Sequence, residues 1–234
     1  MDFDIIINET YKLRDNKVYM PSRPAIPSNE ERIDFKEIPG RDGSVSYSDG
    51  YKDREFSIDF NAYDESNVNN KMRTINPIFI NAKTIRFTDD PNIFYKVKQM
   101  RVADKERPFP NLYNFTVDTI IEPFDYMVSG TQKIQAVNGD VIENQGTYPS
   151  RPIITVYGTG EVNISIGAYS FYIKHVNGSA TINSEILKCY KGTENMGTQV
   201  KGSFPLFDLG SSKIKLPGNV THLEIIPNWR YVLC

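Results

Sequence analysis

Short runs in which apolar and polar residues alternate recur along most of the chain, and such alternation predicts half-buried β-strands. The clearest run in the first half lies over residues 55–60, where three apolar residues alternate with three polar ones. Ile33 and Phe35 alternate with polar neighbours in the same way, as do residues 115–121. From residue 152 onward every run has this period. The pattern therefore predicts a mainly β protein.

Residues 37–61 are predicted to form a β-meander with two tight turns. The turns are assigned to Asp42-Gly43 and Asp49-Gly50, because Asp-Gly pairs favour the positive φ angles of hairpins. Pro39-Gly40 ends the run of alternation that comes before the first turn. We expect two or three antiparallel strands here, with a polar tip around residues 41–50.

A single helix is predicted, over residues 64–79. Its apolar residues fall on one stripe at helical spacing, namely Val68, Met72, Ile75 and Phe79. Asp64 or Ser66 is the expected N-cap. Pro77 lies near the end of the helix, so the pattern does not determine the last helical residue. One helix among many strands predicts an α+β first domain, a β-sandwich or split barrel with the helix on one face.

The composition changes over residues 129–150, which are rich in Gly, Asn and Gln. We place the domain boundary in this segment, which gives domains at residues 1–132 and 133–234. Residues 135–142 contain an Asn138-Gly139 turn and are interpreted as a small hairpin. The short, evenly spaced strands that follow predict an antiparallel β-sandwich.

Charge gives little support to a nucleic-acid-binding role. The 234 residues carry a net charge of −2, divided into −5 over residues 1–147 and +3 over residues 148–234. A protein that binds nucleic acid broadly would show a basic surplus instead.

The termini and the cysteines predict a soluble protein made in a cytoplasm. The first ten residues lack the basic segment and the long apolar run of a signal peptide, and no apolar run approaches the ~20 residues that cross a bilayer. The only cysteines, Cys189 and Cys234, are interpreted as free thiols in a reducing compartment.

The sequence contains no convincing catalytic or metal-binding constellation. His222 and Glu224 could pair to orient a general base, but no nucleophile elbow is present, so a polar sheet surface is the favoured interpretation. The four Cys and His residues have no zinc-site spacing. We therefore expect no enzymatic activity, no metal and no cofactor.

Three segments carry a family resemblance. They are Ile38-Pro39-Gly40-Arg41-Asp42-Gly43 followed by Tyr51-Lys52, the run over residues 148–166, and residues 218–231 with Pro227-Asn228-Trp229-Arg230-Tyr231. Together they resemble the distal tail protein (Dit) family of long-tailed, siphovirus-type phages of Gram-positive hosts. The resemblance covers most of the chain, from about Ile33 to Tyr231.

This resemblance implies a structural protein of the virion, assembled in the host cytoplasm. Distal tail proteins form a homohexameric ring at the tail tip, and their first domains close the ring. The ring is a hub that joins the tail tube and the tape measure protein to baseplate or receptor-binding proteins. DNA passes through the ring as cargo and is not a binding partner. Their second domains are galectin-like or carbohydrate-module-like sandwiches.

The resemblance and the turn pattern together give the candidate site residues. The expected subunit interface is Arg41, Asp42, Gly43, Asp49, Gly50 and Tyr51, because a hairpin tip with free strand edges invites pairing with another chain. Scaffold roles are assigned to Ile38, Pro39, Gly40, Pro227, Asn228, Trp229, Arg230 and Tyr231. The alternative for the tip is a solvated hairpin on a monomer.

Two other functions stay open at this stage. A carbohydrate-binding module would use exposed aromatic residues, and the single tryptophan, Trp229, is the first candidate although a packed role is favoured for it. A cell-wall hydrolase of the tail tip is the second alternative, and the missing catalytic constellation argues against it.

Overall fold

The structure, a computed structural model, describes residues 3–233 and divides into two compact units. Unit 1 runs to Asp125 and also contains the segment from Val232 onward, whereas unit 2 is Tyr126–Tyr231. Cys189 is buried and free, and burial raises the pKa of its thiol to about 11. Cys234, the other predicted free thiol, lies outside the described residues.

Unit 1 is a large antiparallel sheet with one helix and a separate hairpin. Its elements are β1 (Ile5–Ile7), β2 (Tyr11–Lys12), β3 (Val18–Tyr19), β4 (Glu31–Glu37), β5 (Ser44–Tyr51), β6 (Arg54–Tyr63), α1 (Val68–Ile80), β7 (Thr84–Phe87), β8 (Ile93–Phe109) and β9 (Leu112–Ile121). The sheet has the order β2-β1-β7-β8-β9-β6-β3, and β4 pairs with β5. The mainly β fold with one helix is thus confirmed.

Helix α1 covers the apolar face of this sheet. All four residues of the predicted stripe are buried, from Val68 to Phe79. The Phe79 ring lies 5.4 Å from the Phe60 ring of β6 and 6.0 Å from the Phe115 ring of β9. These aromatic contacts join the helix to two adjacent strands, so the predicted stripe is the side on which unit 1 builds its core.

The N-cap of the helix is Asn67, which lies one residue after Ser66 and three residues after Asp64, the two predicted caps. The Asn67 side chain accepts hydrogen bonds from the backbone N–H groups of Asn69 and Asn70, at 3.1 and 3.2 Å. Asp64 and Ser66 were therefore wrong as N-caps. The Asp64 carboxylate instead accepts hydrogen bonds from Ser66 and from the Asn67 N–H, which closes a turn before the helix and lowers the pKa of Asp64.

Substituting this cap gives the first prediction. Asn67→Ala removes the acceptor for two backbone donors and is expected to lower the free energy of unfolding of unit 1 by about 1 kcal/mol. Asn67→Asp keeps an acceptor at the same place and is the matched control. Equal urea midpoints for the alanine variant and the wild type would show that Asn67 does not act as the cap.

Unit 2 is an antiparallel β structure with a second, separate core. Its strands are β10 (Asp125–Met127, whose first residue belongs to unit 1), β11 (Ile134–Ala136), β12 (Val141–Glu143), β13 (Ile153–Ile166), β14 (Tyr169–Asn183), β15 (Lys188–Lys191), β16 (Glu194–Asn195), β17 (Val200–Gly202), β18 (Ser211–Lys215), β19 (Val220–Ile226) and β20 (Arg230–Tyr231). The main order is β11-β19-β13-β14-β15-β16, and β18 joins β12 to β13. Phe171, Phe207 and Trp229 are buried in its core.

The predicted hairpin over residues 135–142 is wrong. Strand β11 pairs with β19, and β12 pairs with β18, so the two strands do not pair with each other. The Asn138-Gly139 turn exists, and Gly139 has a φ of +97°. The residues of this turn, however, form hydrogen bonds with β18 and with the residue that follows it. The Gly139 N–H donates to the Ile214 carbonyl, and the Asn138 side chain accepts from the Leu216 N–H.

The limits of an independently folding second domain remain a prediction. Because β11 and β12 contribute pairs to β19 and β18, a fragment of residues 126–231 is expected to give a dispersed proton–nitrogen correlation spectrum. A shorter fragment of residues 148–231 lacks both strands and should be less stable to urea. Poor dispersion of the longer fragment would show that unit 2 needs the rest of the chain.

Among residues 3–233, no three metal-binding side chains cluster, and no helix is long and apolar enough to cross a membrane.

Candidate assembly surface

The β4–β5 hairpin of unit 1 is largely exposed to solvent. Every residue of β4 is exposed, and most of β5 is too. Within residues 3–233, the two strands pair only with each other. The predicted single meander over residues 37–61 is therefore wrong, because β6 leaves the hairpin and pairs with β9 and β3 in the large sheet.

The tip of the hairpin turns at Pro39-Gly40. The Arg41 N–H donates to the Ile38 carbonyl at 3.1 Å, and Gly40 has a φ of +83°. Proline at the second position and a glycine with positive φ at the third are typical of a type II turn. Gly43 also has a positive φ, so Asp42-Gly43 completes the loop and does not form the tight turn by itself.

Asp49-Gly50 forms a β-bulge, and its prediction as a hairpin turn is wrong. Glu31 pairs with Tyr51 and Ile33 pairs with Ser48, so two residues of β5 stand opposite Arg32 alone. Gly50 has a φ of +82°. The bulge uses the same backbone freedom of glycine that a turn would use, and it increases the local twist of the hairpin.

The base of the hairpin is closed by its flanking residues and contacts the rest of unit 1 through Tyr51. The Lys52 N–H donates to the Glu30 carbonyl at 2.8 Å, and the Lys52 ammonium forms an ion pair with the Glu30 carboxylate. The Tyr51 ring lies edge-on to the Phe124 ring with centroids 6.0 Å apart. The hairpin is therefore held at its base while its tip stays open.

One face of the hairpin, called here its apolar face, exposes two large apolar side chains to solvent. Ile33 and Phe35 point to the same face, opposite the small residues Ser48 and Ser46. Phe35 is 70% exposed and Ile33 is 45% exposed. Serine neighbours cannot cover a phenylalanine ring, so this face lacks the packing that normally follows strand alternation.

The opposite face of the hairpin carries both charged and apolar or aromatic side chains. Tyr47 stands opposite Asp34, and Val45 stands opposite Lys36. The charge of Asp34 and its hydrogen bond to the hydroxyl raise the pKa of Tyr47. The Tyr47 side chain is nevertheless 57% exposed. Both faces thus present a large side chain to solvent.

A two-stranded hairpin with two open faces and two open edges is only marginally stable by itself in water. It gains stability when a second chain covers its apolar face or pairs with its edges. The arrangement suits the hairpin for binding another protein. It contains no group positioned for catalysis.

The second predicted scaffold motif closes unit 2. Trp229 is 1% exposed, and its ring lies 5.3 Å from the Phe207 ring. The Trp229 carbonyl accepts from the Met127 N–H at 3.0 Å. Asn228 has a φ of +54° and donates its side-chain amide to the Arg151 carbonyl. These contacts fix the end of unit 2 to its beginning.

Arg230 adds further contacts between the end of unit 2 and its first residues. Its Nε donates to the Pro149 carbonyl at 2.8 Å, and its guanidinium lies 5.2 Å from the centre of the Tyr148 ring. Burial lowers the pKa of Arg230. Gly146 packs so closely here that a Cβ atom would lie 2.2 Å from the Arg230 carbonyl oxygen. Only glycine fits at this position without movement of the backbone.

The structure divides the predicted interface residues into three places. Arg41, Asp42 and Gly43 lie exposed at the tip, Asp49 and Gly50 form the bulge, and Tyr51 lies at the base. Whether they contact another subunit remains a proposal. Sequence reasoning missed Phe35, Ile33 and Tyr47 as surface residues. Their alternation was visible, but the same pattern is shown by strands that face a core.

Comparison with known proteins agrees with this architecture. Residues 10–121 match the family model of the phage tail protein RIFT-related domain. No curated protein matches the sequence.

Solved structures of phage proteins share the fold over nearly the whole chain. The Dit protein of phage SPP1, described as a paradigm of hub adsorption apparatus in phages that infect Gram-positive bacteria, superposes with a TM-score of 0.64 at 12% identity, over 96% of this chain and 98% of that chain. A chain of the phage P2 baseplate, in its activated conformation with Ca, superposes with a TM-score of 0.57 at 11% identity, over 96% and 97%. The resemblance predicted from the sequence is confirmed by these matches: residues 10–121 form a phage tail protein RIFT-related domain, and the chain as a whole has the fold of the SPP1 Dit protein and of the P2 baseplate chain.

Proposed function

We propose that this protein forms a homohexameric ring at the tip of the phage tail and acts there as an assembly hub. The observation that supports the ring most strongly is the exposed β4–β5 hairpin, whose apolar face has no cover within the described chain. Contacts between unlike surfaces of identical subunits close into rings or continue as filaments. A hub that continues a tube requires the closed form.

The similarity in fold supports a position of the ring at the tail tip. The SPP1 protein of the same fold is described as a hub of the adsorption apparatus. By analogy, this ring would join the tail tube and the tape measure protein on one side to baseplate or receptor-binding proteins on the other. We place it in the virion after assembly in the bacterial cytoplasm, with a role in host adsorption.

The charge distribution fits a ring through which DNA passes. The proposed ring-forming domain, residues 1–132, contains 18 Lys+Arg and 22 Asp+Glu and thus carries a net charge of −4. Acidic groups that face the passage would repel the phosphate backbone and keep DNA from binding to it during ejection. DNA is thus proposed as cargo only.

The contacts of the candidate catalytic residues favour a role without enzymatic activity. His222 Nδ1 lies 3.0 Å from the Thr221 hydroxyl, and Glu224 binds Lys133 at 2.9 Å, so no base–orienter pair forms between His222 and Glu224. Trp229 is buried and cannot stack on a sugar, which removes the first candidate for a carbohydrate-binding module.

Electron microscopy of the purified protein in negative stain tests the proposal. Closed rings with six-fold symmetry and a central opening are expected. Open filaments or dispersed single chains at concentrations well above micromolar would contradict self-closure of the ring.

A further inference from the structure

The chain leaves unit 1 through a short segment that is held by residues on both sides of the β4–β5 hairpin. This segment, called here the exit segment, is Pro123–Asp125, and the chain enters unit 2 at the next residue, Tyr126. Strand β4 begins at Glu31 and strand β5 ends at Tyr51. Residues at or near these two ends contact all three residues of the exit segment, so the base of the hairpin and the exit segment share one set of contacts.

Asn29, two residues before β4, supplies the hydrogen bonds. Its side-chain amide donates to the Pro123 carbonyl, and its side-chain oxygen accepts from the Leu233 N–H at 2.8 Å. The Asn29 N–H in turn donates to the Leu233 carbonyl at 2.9 Å. Leu233 belongs to the segment with which the chain returns to unit 1. One half-buried asparagine therefore ties the start of the hairpin to the exit segment and to the returning segment.

The other end of the hairpin is tied to the exit segment by a ring contact and an ion pair. The Tyr51 ring lies edge-on to the buried Phe124 ring, with centroids 6.0 Å apart. Three residues after Tyr51, an Nη atom of Arg54 lies 2.5 Å from the Asp125 carboxylate, and these two side chains are only 3% and 7% exposed. Removing one partner of a buried ion pair leaves the other charge uncompensated, so this contact resists opening.

The rest of the hairpin has little support of its own. Within residues 3–233, β4 and β5 pair only with each other, and every residue of β4 is exposed. A two-stranded hairpin of this kind is marginally stable in water. Native proteins open locally in contiguous cooperative units, and the units with few buried contacts open most easily. The contacts at the base therefore decide how readily this hairpin opens.

We propose that Asn29, Tyr51 and Arg54 form a clasp that couples the hairpin to the exit segment, so that the two open and close as one cooperative unit. A change that loosens the exit segment then frees the hairpin, and a partner that covers the hairpin stabilises the exit segment. The coupling free energy is the same in both directions. The clasp lies within one chain, so it does not depend on the hexameric ring.

Hydrogen–deuterium exchange of the full chain, followed by mass spectrometry, tests the coupling from both ends. The two reporters are peptides over residues 31–51 of the hairpin and residues 122–125 of the exit segment. Phe124→Ala removes the ring contact of the clasp and is expected to make exchange about tenfold faster in the hairpin peptide, although no hairpin residue is changed.

The reciprocal variant disturbs the hairpin at its tip. Gly40 has a φ of +83°, where alanine is strained, so Gly40→Ala loosens the hairpin at the end opposite to the clasp. Because the two segments open together, exchange should be faster by the same factor, about tenfold, in the hairpin peptide and in the exit peptide. Acceleration confined to the peptide that contains the substitution would overturn the clasp.

Two further variants keep the test decisive. Tyr51→Ala removes the same ring contact from the hairpin side and should accelerate exchange of the exit peptide even if loss of the Phe124 ring prevents folding. Asn67→Ala weakens the N-cap of α1, outside the clasp, and should leave both peptides unchanged. Equal acceleration of both peptides by Asn67→Ala would also contradict the clasp, because general destabilisation would then explain the result.

The same measurements in a chain that carries Ile33→Ser and Phe35→Ser separate the clasp from the ring. These changes remove the large side chains of the apolar face, through which a neighbouring subunit is proposed to bind. The coupling should persist in this background. Its loss there would show that a contact between subunits, and not the clasp, connects the two segments.

Discussion

A chain with Ile33→Ser and Phe35→Ser is expected to stay folded and to lose its oligomeric mass. Both residues lie on the open face of the β4–β5 hairpin, opposite serines. Surface substitutions that disturb no core contact change the free energy of unfolding by only about 0.5 kcal/mol. The monomer should therefore keep the wild-type circular dichroism spectrum.

The effect on assembly should be much larger than the effect on folding. If a neighbouring subunit covers the hairpin, each of the two side chains loses about 1.5–3 kcal/mol of burial energy at every subunit contact. A loss of about 3 kcal/mol raises a dissociation constant more than hundredfold. The loss is repeated around a ring, so the double variant should sediment as a monomer.

A matched control separates a specific contact from general loss of surface hydrophobicity. Leu209 of unit 2 is 61% exposed, comparable to Phe35. Leu209→Ser should therefore keep the wild-type mass in sedimentation. Unchanged mass for the hairpin double variant would exclude its apolar face from the subunit interface.

Gly146→Ala is expected to destabilise unit 2 although it adds only one methyl group. The added Cβ would lie 2.2 Å from the Arg230 carbonyl oxygen and 3.0 Å from the Arg230 nitrogen. Both neighbours are backbone atoms, so the closing segment from Pro227 to Tyr231 must move. Overpacking of this kind costs about 1–3 kcal/mol, and loss of the Trp229 packing would add to it.

The measurement uses the single tryptophan as a reporter. Because Trp229 is the only tryptophan and is buried in unit 2, its fluorescence in a urea titration follows the unfolding of that unit. Gly218→Ala is the control, since a Cβ there meets no atom within 4 Å. A shared urea midpoint for Gly146→Ala and Gly218→Ala would contradict the close packing around Arg230.

Trp229→Ala should have the larger effect of the two changes. Removing a buried tryptophan leaves a cavity next to Phe207 and costs about 3–5 kcal/mol. Far-UV circular dichroism replaces fluorescence for this variant. A midpoint within error of the wild type would show that Trp229 does not hold the closing segment.

The sequence predicts the core well wherever a periodic apolar face is covered by another layer of the same chain. The stripe of α1 was predicted in full, because only an apolar stripe at helical spacing lets a helix pack on a sheet, and Phe79 meets Phe60 and Phe115 as that packing requires. The strand over residues 115–121 was predicted for the same reason, and Phe115 and Val117 are buried.

The hairpin shows where the same reasoning fails. Residues 33–35 and 56–60 have the same alternation, yet Phe35 lies in solvent and Phe60 lies in the core. Period two reveals which side chains share a face, but it does not reveal whether another layer covers that face. A face that another subunit covers carries the same pattern as a face that the chain covers itself.

Turn signals were ambiguous in a similar way. Asp-Gly and Asn-Gly pairs indicate a residue with positive φ, which Gly43, Gly50 and Gly139 all adopt. The positive φ at Gly50 forms a bulge within a strand, whereas that at Gly139 joins strands with different partners. Strand partners are decided by contacts distant in sequence, which local composition does not encode.

The mass of the purified full-length chain in solution, measured by light scattering at tens of micromolar, tests the central claim most directly. The proposed ring predicts a single species of about 160 kDa, six chains of 26.7 kDa each. A species of 26.7 kDa that does not change with concentration would contradict a ring that this chain closes by itself.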